Sequence, residues 1–179
     1  MDLIDEVAFA QDEFLPYWAE LWPAAHALAA ALPDVAGLRI VELGCGLGLP
    51  SLVAAAHGAR VTATDWAADA IELLRENAAR NGLELTAERR DWREQWDEAF
   101  DLVLAADVLY ERRNVEPLVE RLSTLAGASL LGFAGRPYEQ AFLRLWTGDV
   151  ETVADRVVRL TRPRQHGCGR DHERKADDA

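Results

Sequence analysis

The stretch Arg39-Ile-Val-Glu-Leu-Gly-Cys-Gly-Leu-Gly-Leu-Pro50, followed by Arg60-Val-Thr-Ala-Thr-Asp65, decides the fold. A short apolar run enters three glycines at alternate positions, Gly44, Gly46 and Gly48, and a helical pattern follows. A second apolar run then ends in an acid about 20 residues on, the spacing of the ribose-binding carboxylate in dinucleotide folds. Glu42 and Asp65 therefore bracket the loop at the ends of two strands. A nicotinamide fingerprint would place its third glycine where Leu49 stands, so that the helix N-terminus could meet a pyrophosphate. No Gly-Lys-Ser/Thr follows either, which excludes a phosphate-cradling P-loop. The pattern suits a ligand with a ribose diol and a positive charge.

Each glycine permits a positive φ or a close backbone approach, so a ligand can lie directly on the turn. S-adenosylmethionine carries a ribose, an adenine, an ammonium and a sulfonium, and no phosphate. It matches both acids and the missing phosphate features.

Further pieces occur in order along the chain: Leu21-Trp-Pro-Ala24, Glu42-Leu-Gly-Cys-Gly-Leu-Gly48, Thr64-Asp-Trp66, Arg90-Asp-Trp92, and Asp107-Val-Leu-Tyr110 at the end of an apolar run from Phe100. On these pieces, residues 14–135 resemble a class I, seven-β-strand S-adenosylmethionine-dependent methyltransferase. More narrowly, they resemble the protein-lysine methyltransferase branch acting on chaperones and on the electron-transfer flavoprotein β subunit. The resemblance implies a doubly wound, mostly parallel, seven-stranded Rossmann-like sheet with an antiparallel last strand.

Hydrophobic periodicity independently supports an α/β reading, because strand and helix patterns alternate. Pro23 suits a helix start, with Leu21, Ala25, Leu28 and Leu32 at helical spacing. Strands are expected at about 38–43, 60–65, 84–90, 100–106 and 128–134, with a strand pair over about 150–161 turning near Ala154–Arg156. Helices are expected from 49 to His57, from Ala67 to Asn81-Gly82, after a cap at Asn114, and from Pro137 to Trp146. The domain spans residues 1–162, and the polar segment 163–179 reads as a disordered tail.

With 179 residues and 50% hydrophobic content the chain can bury one full core. No apolar run is long enough to span a membrane, and an acidic N-terminus does not resemble a signal peptide. The two cysteines, Cys45 and Cys168, are far apart, which points to a reducing, cytoplasmic setting. Nineteen Lys and Arg against 31 Asp and Glu give a net charge of −12. Such a chain repels nucleic-acid backbones and favours a basic protein partner, unless the acidity serves solubility alone. It is expected to act as a monomer.

The resemblance also distributes roles. Asp65 would accept both ribose hydroxyls, Trp66 would lie against the adenine, and Asp91 would accept the adenine amino group with Trp92 as a wall. Glu42 would face the methionyl ammonium or orient the glycine loop. Trp22 would cover the methionine end, with Gly44, Gly46, Gly48 and Ala106 completing the cofactor set. Asp107 and Tyr110 would be the catalytic pair, orienting an amine and lining its channel. No metal is expected: His166, Cys168 and His172 lie in the tail, and Cys45 reads as a loop filler. The only lysine, Lys175, excludes a Tyr-x-x-x-Lys dehydrogenase pair, and no Asn/Asp-Pro-Pro-Tyr follows strand four. The expected function is methylation of a protein lysine. The alternatives are a small-molecule amine methyltransferase and a non-catalytic, cofactor-binding regulatory module.

Overall fold

The computed structural model describes residues 17–162. The expectation of a disordered tail therefore lies outside the described residues. Seven strands form one sheet: β1 (Arg39–Leu43), β2 (Arg60–Asp65), β3 (Thr86–Arg89), β4 (Leu102–Ala106), β5 (Ala128–Gly132), β6 (Asp149–Ala154) and β7 (Val157–Thr161). Their spatial order is β3-β2-β1-β4-β5-β7-β6. The first five pair in parallel, and β7 runs antiparallel to both β5 and β6. This is the mostly parallel methyltransferase fold that the sequence led us to expect.

Burial explains the order. Leu102, Val103, Leu104 and Ala105 of β4 are all buried, as a central strand covered on both faces requires. Helices α1 (Pro23–Ala30) and α2 (Leu49–Ala56) pack on one face through Leu28 and Ala54, against Ile40, Val61 and Leu104. Helix α3 (Ala68–Arg80) sets Ile71 and Leu74 on Ala63 and Ala87. Helices α4 (Val115–Leu125) and α5 (Glu139–Leu145) cover the other face, with Leu118, Leu122 and Phe142 against Val41, Val103 and Leu131. Gly132 lets α1 approach β5, since a Cβ there would lie 2.6 Å from Ala24 O.

Several boundaries differ from expectation for visible reasons. Strand β3 shortens because only Ala87 of its four residues is buried. Strand β4 starts at Leu102, and Asp101 just ahead of it is tied to β1 at both ends: its N–H donates to Arg39 O at 2.8 Å and its carboxylate accepts the Arg39 N–H at 2.7 Å. Asn114 does not cap α4: its backbone is helical, it ends a 3₁₀ turn, and its Nδ2 donates to Val108 O at 3.0 Å. Leu21 precedes α1, is 44% exposed and lines a cavity instead of the core. Among the described residues no helix is long and apolar enough to cross a membrane.

Candidate active site

The strand order reverses between β1 and β4, where open α/β sheets leave a crevice beyond the carboxyl ends of their strands. A cavity of about 360 Å³ opens there. Every expected site residue lines it: Trp22, Glu42, Gly44, Gly46, Gly48, Asp65, Trp66, Asp91, Trp92, Ala106, Asp107 and Tyr110. Their roles toward ligands remain assignments of the sequence, but their protein partners are now visible.

Glu42 ends inside the protein, 1% exposed. One carboxylate oxygen accepts both the backbone N–H, at 2.9 Å, and the hydroxyl of Ser51. Ser51 lies in the first turn of α2, so an internal carboxylate occupies the helix N-terminus where a dinucleotide's pyrophosphate would sit. Burial pushes the Glu42 pKa up to about 7, against the opposing Ser51 hydrogen bonds.

Asp65 spans two loops. One oxygen accepts Gly46 N at 2.9 Å and the other Ala67 N at 3.0 Å, tying the glycine turn to the start of α3. A carboxylate has about four lone-pair sites, so each oxygen can still accept a hydroxyl. Burial raises its pKa above the ordinary value.

The glycines, which line the cavity, also serve the protein's own packing. Gly48 takes a left-handed conformation at φ 76, and a Cβ there would overlap Leu74 of α3. A Cβ on Gly46, at φ 50, would press 3.1 Å from Trp18 O, and one on Gly44 would meet Trp92 and Val108 at 3.0 Å. Cys45 is 7% exposed and its thiol pKa is pushed up by burial, which suits packing and not nucleophilic attack.

On the β3 side, Asp91 holds Arg93 through both oxygens at 2.8 to 3.0 Å. Burial works to raise its pKa, but the Arg93 contacts prevail and hold it below the ordinary value. Trp92 fills the wall beside Gly44, and its buried Nε1 has no hydrogen-bond partner among the described residues. The buried Arg121 of α4 fixes this loop by donating to Trp92 O and Glu94 O at 2.7 and 2.6 Å.

Across the cavity, Asp107 follows β4 with a left-handed backbone, φ 52, and 2% side-chain exposure. Arg136 forks onto it, Nε to Oδ1 at 2.8 Å and Nη2 to Oδ2 at 2.6 Å. Tyr110 is half-buried, and burial, helped by the charges of Glu111 and Asp65, raises its pKa, so its phenol stays protonated. Ser51, Arg93, Arg121 and Arg136 were not legible as site residues. A serine in a helix first turn was the one local signal.

The cavity fits S-adenosylmethionine on the chemistry of its donors. Two acidic side chains, Glu42 and Asp65, line the cavity beside the glycine turn, and Glu42 already accepts the Ser51 N–H in the first turn of α2 that a phosphate would need. Among the described residues no cluster of three or more His, Cys, Asp or Glu could hold a metal.

The sequence model described as lysine methyltransferase matches residues 9–142. The chain belongs to that family. Protein N-lysine methyltransferase METTL21A of Danio rerio is 35% identical over 121 residues, covering 60% of this chain and 55% of that protein. The electron transfer flavoprotein beta subunit lysine methyltransferase of the same organism is 32% identical over 131 residues, covering 68% and 51%. This family member thus spans about half the length of the curated relatives it matches. The crystal structure of magnesium protoporphyrin IX methyltransferase from Synechocystis, with bound S-adenosylmethionine, superposes with a TM-score of 0.62 at 21% identity, covering 75% and 74%; that likeness establishes the fold.

Proposed function

We propose that this chain transfers a methyl group from S-adenosylmethionine to the side-chain amine of a lysine on a protein. The reading is carried by one juxtaposition: the Asp107–Tyr110 segment lines the same cavity as Glu42 and Asp65. When bound, the cofactor supplies an electrophilic methyl group on its sulfonium. The chain would hold the ribose at Asp65, the ammonium at Glu42, and the adenine between Trp66 and the Asp91–Trp92 loop. Trp22 and Ala106 would close the methionine end.

A lysine must arrive as the free amine. With a reference pKa near 10.4, deprotonation at pH 7 costs about 4–5 kcal/mol. Tyr110, Trp22 and Leu21 line the cavity, and an amine entering between them would meet a lower cost because apolar walls withhold water from the ammonium. Positioning then supplies most of the rate, since the transfer is an in-line displacement. The net charge of −12 favours a basic substrate surface in the cytoplasm.

A second reading has one observation in its favour. Helix α5 has only seven residues, which leaves a small platform after β5 and suits a small-molecule amine. Incubation with methyl-labelled S-adenosylmethionine and a size-fractionated cell lysate separates the two. Label recovered as methyl-lysine from the protein fraction is expected. Label confined to small molecules favours the second reading, and S-adenosylhomocysteine binding with no label anywhere favours a regulatory module.

A further inference from the structure

The catalytic role of Asp107 assumes that an amine can reach its carboxylate. The geometry places something else in the way. The side chain is 2% exposed and both oxygens are held by Arg136, whose own side chain is 33% exposed. A cation entering the cavity meets the guanidinium before the carboxylate. To reach Asp107 it would have to displace a like-charged guanidinium from a buried bidentate pair, an expensive exchange.

Arg136 is itself held from behind. It leaves β5 on a loop whose Phe133 N–H donates to Arg156 O at 2.7 Å. The buried Glu139 of α5 accepts Ala134 N at 2.8 Å and Gly135 N at 2.9 Å through one oxygen. In front, the guanidinium lies 5.3 Å from the centre of the Trp22 ring, a cation–π distance. One side chain thus joins three segments around the cavity: the Asp107–Tyr110 turn, the loop after β5, and the Trp22 segment ahead of α1. Asp107 needs such a hold, because a left-handed backbone is unfavourable for a residue with a Cβ. Its N–H donates to Gly132 O of β5 at 3.0 Å, a second restraint on the turn.

We propose that Arg136 is a positioning residue for the methionine and acceptor side of the cavity, and that Asp107 works through Arg136 instead of receiving the amine. The inference rests on the methyltransferase reading of this site. The pair fixes the Tyr110 turn and the Trp22 roof in one arrangement, and the amine is met by those walls.

The test uses the full chain with Arg136→Gln, Arg136→Lys, Asp107→Asn and the Asp107→Asn/Arg136→Gln double variant. Calorimetry reads S-adenosylhomocysteine affinity, and labelled transfer to poly-L-lysine reads kcat and KM. Each of Arg136→Gln and Asp107→Asn is expected to weaken S-adenosylhomocysteine about tenfold, with the double variant no weaker than either, as two residues acting as one unit require. Transfer to poly-L-lysine should fall about 10²-fold in kcat with KM for the polymer little changed, and Arg136→Lys should recover part of both. Should Arg136→Gln not fold, Arg136→Lys carries the prediction alone: intermediate affinity and kcat support it, and wild-type values overturn it.

Faster transfer in Arg136→Gln would overturn the proposal, because freeing Asp107 would then have helped the amine. Losses that multiply in the double variant would overturn it as well. If the polymer is not accepted, the affinity cycle decides. A wild-type chain that binds no S-adenosylhomocysteine removes the methyltransferase reading itself, whereas wild-type binding with an unaffected Arg136→Gln removes only this role.

Discussion

Replacing Glu42 by Gln should make the fold more stable at alkaline pH and change it little in mild acid. The carboxyl has an ordinary pKa of 4.5, and burial raises it to about 7 in the folded chain. The folded state therefore holds the proton more tightly than the unfolded state. Stability from this group is complete below the unfolded value and is lost as pH rises through the folded one. At about 1.4 kcal/mol per pKa unit the whole loss is about 3 kcal/mol. From about pH 5.5 to about pH 8, linkage assigns about 2 kcal/mol of it. Glutamine keeps an oxygen that accepts both Ser51 donors and carries no charge to desolvate. Urea unfolding of both proteins at a series of pH values gives the difference directly, with all other titrating groups subtracted. The gap should grow in favour of Glu42→Gln as pH rises. A gap independent of pH, or one widening toward acid, would refute the claim that Glu42 is buried without a compensating cation.

Two further outcomes follow from the loops. Gly48→Ala should cost about 2–4 kcal/mol in urea unfolding, combining a left-handed backbone with a clash against Leu74; a wild-type midpoint would show that α2 and α3 can part cheaply. Asp65→Ala should abolish most of the thermal shift given by S-adenosylhomocysteine, which at 100-fold excess over the dissociation constant reaches about 2.7 kcal/mol in the wild type. It should also lower stability without ligand, because Gly46 N and Ala67 N lose their acceptor; an undiminished shift would place the ribose elsewhere.

What was legible in the sequence was whatever is encoded locally. The β1–turn–β2 unit shows in the glycine spacing, and the residues at strand ends follow once the strands are placed, which is why Glu42, Asp65 and Asp107 all reach one cavity. Partners across the sheet were not legible. Asp107 and Arg136 are 29 residues apart and meet because β4 and β5 pair with Ala106 opposite Gly132. Ser51 reaches Glu42 only through the turn geometry between strand and helix. Gly48 was read as room for a ligand and does line the cavity, but a Cβ there would also overlap Leu74, a packing constraint that no local pattern records. Asn114 has the composition of a helix cap, yet its amide is drawn to Val108 O by the 3₁₀ turn that precedes α4.

The position of β7 has a consequence for how the chain assembles while it is being made. Although it follows the other six described strands in sequence, it lies between β5 and β6. Among the described residues strand β6 pairs only with β7, and Asp149–Thr152 are exposed even in the finished fold. A nascent chain that has emerged as far as Ala154 can close five parallel strands but leaves the free side of β5 unsatisfied. The hairpin across Asp155–Arg156 is local, so it can form first and then dock as one piece, its β7 backbone groups meeting β5 from Gly132 back to Ala128. Among the described strands, completion of the sheet is therefore a single docking step, and until it happens the β5 edge is open to the backbone of any other extended chain.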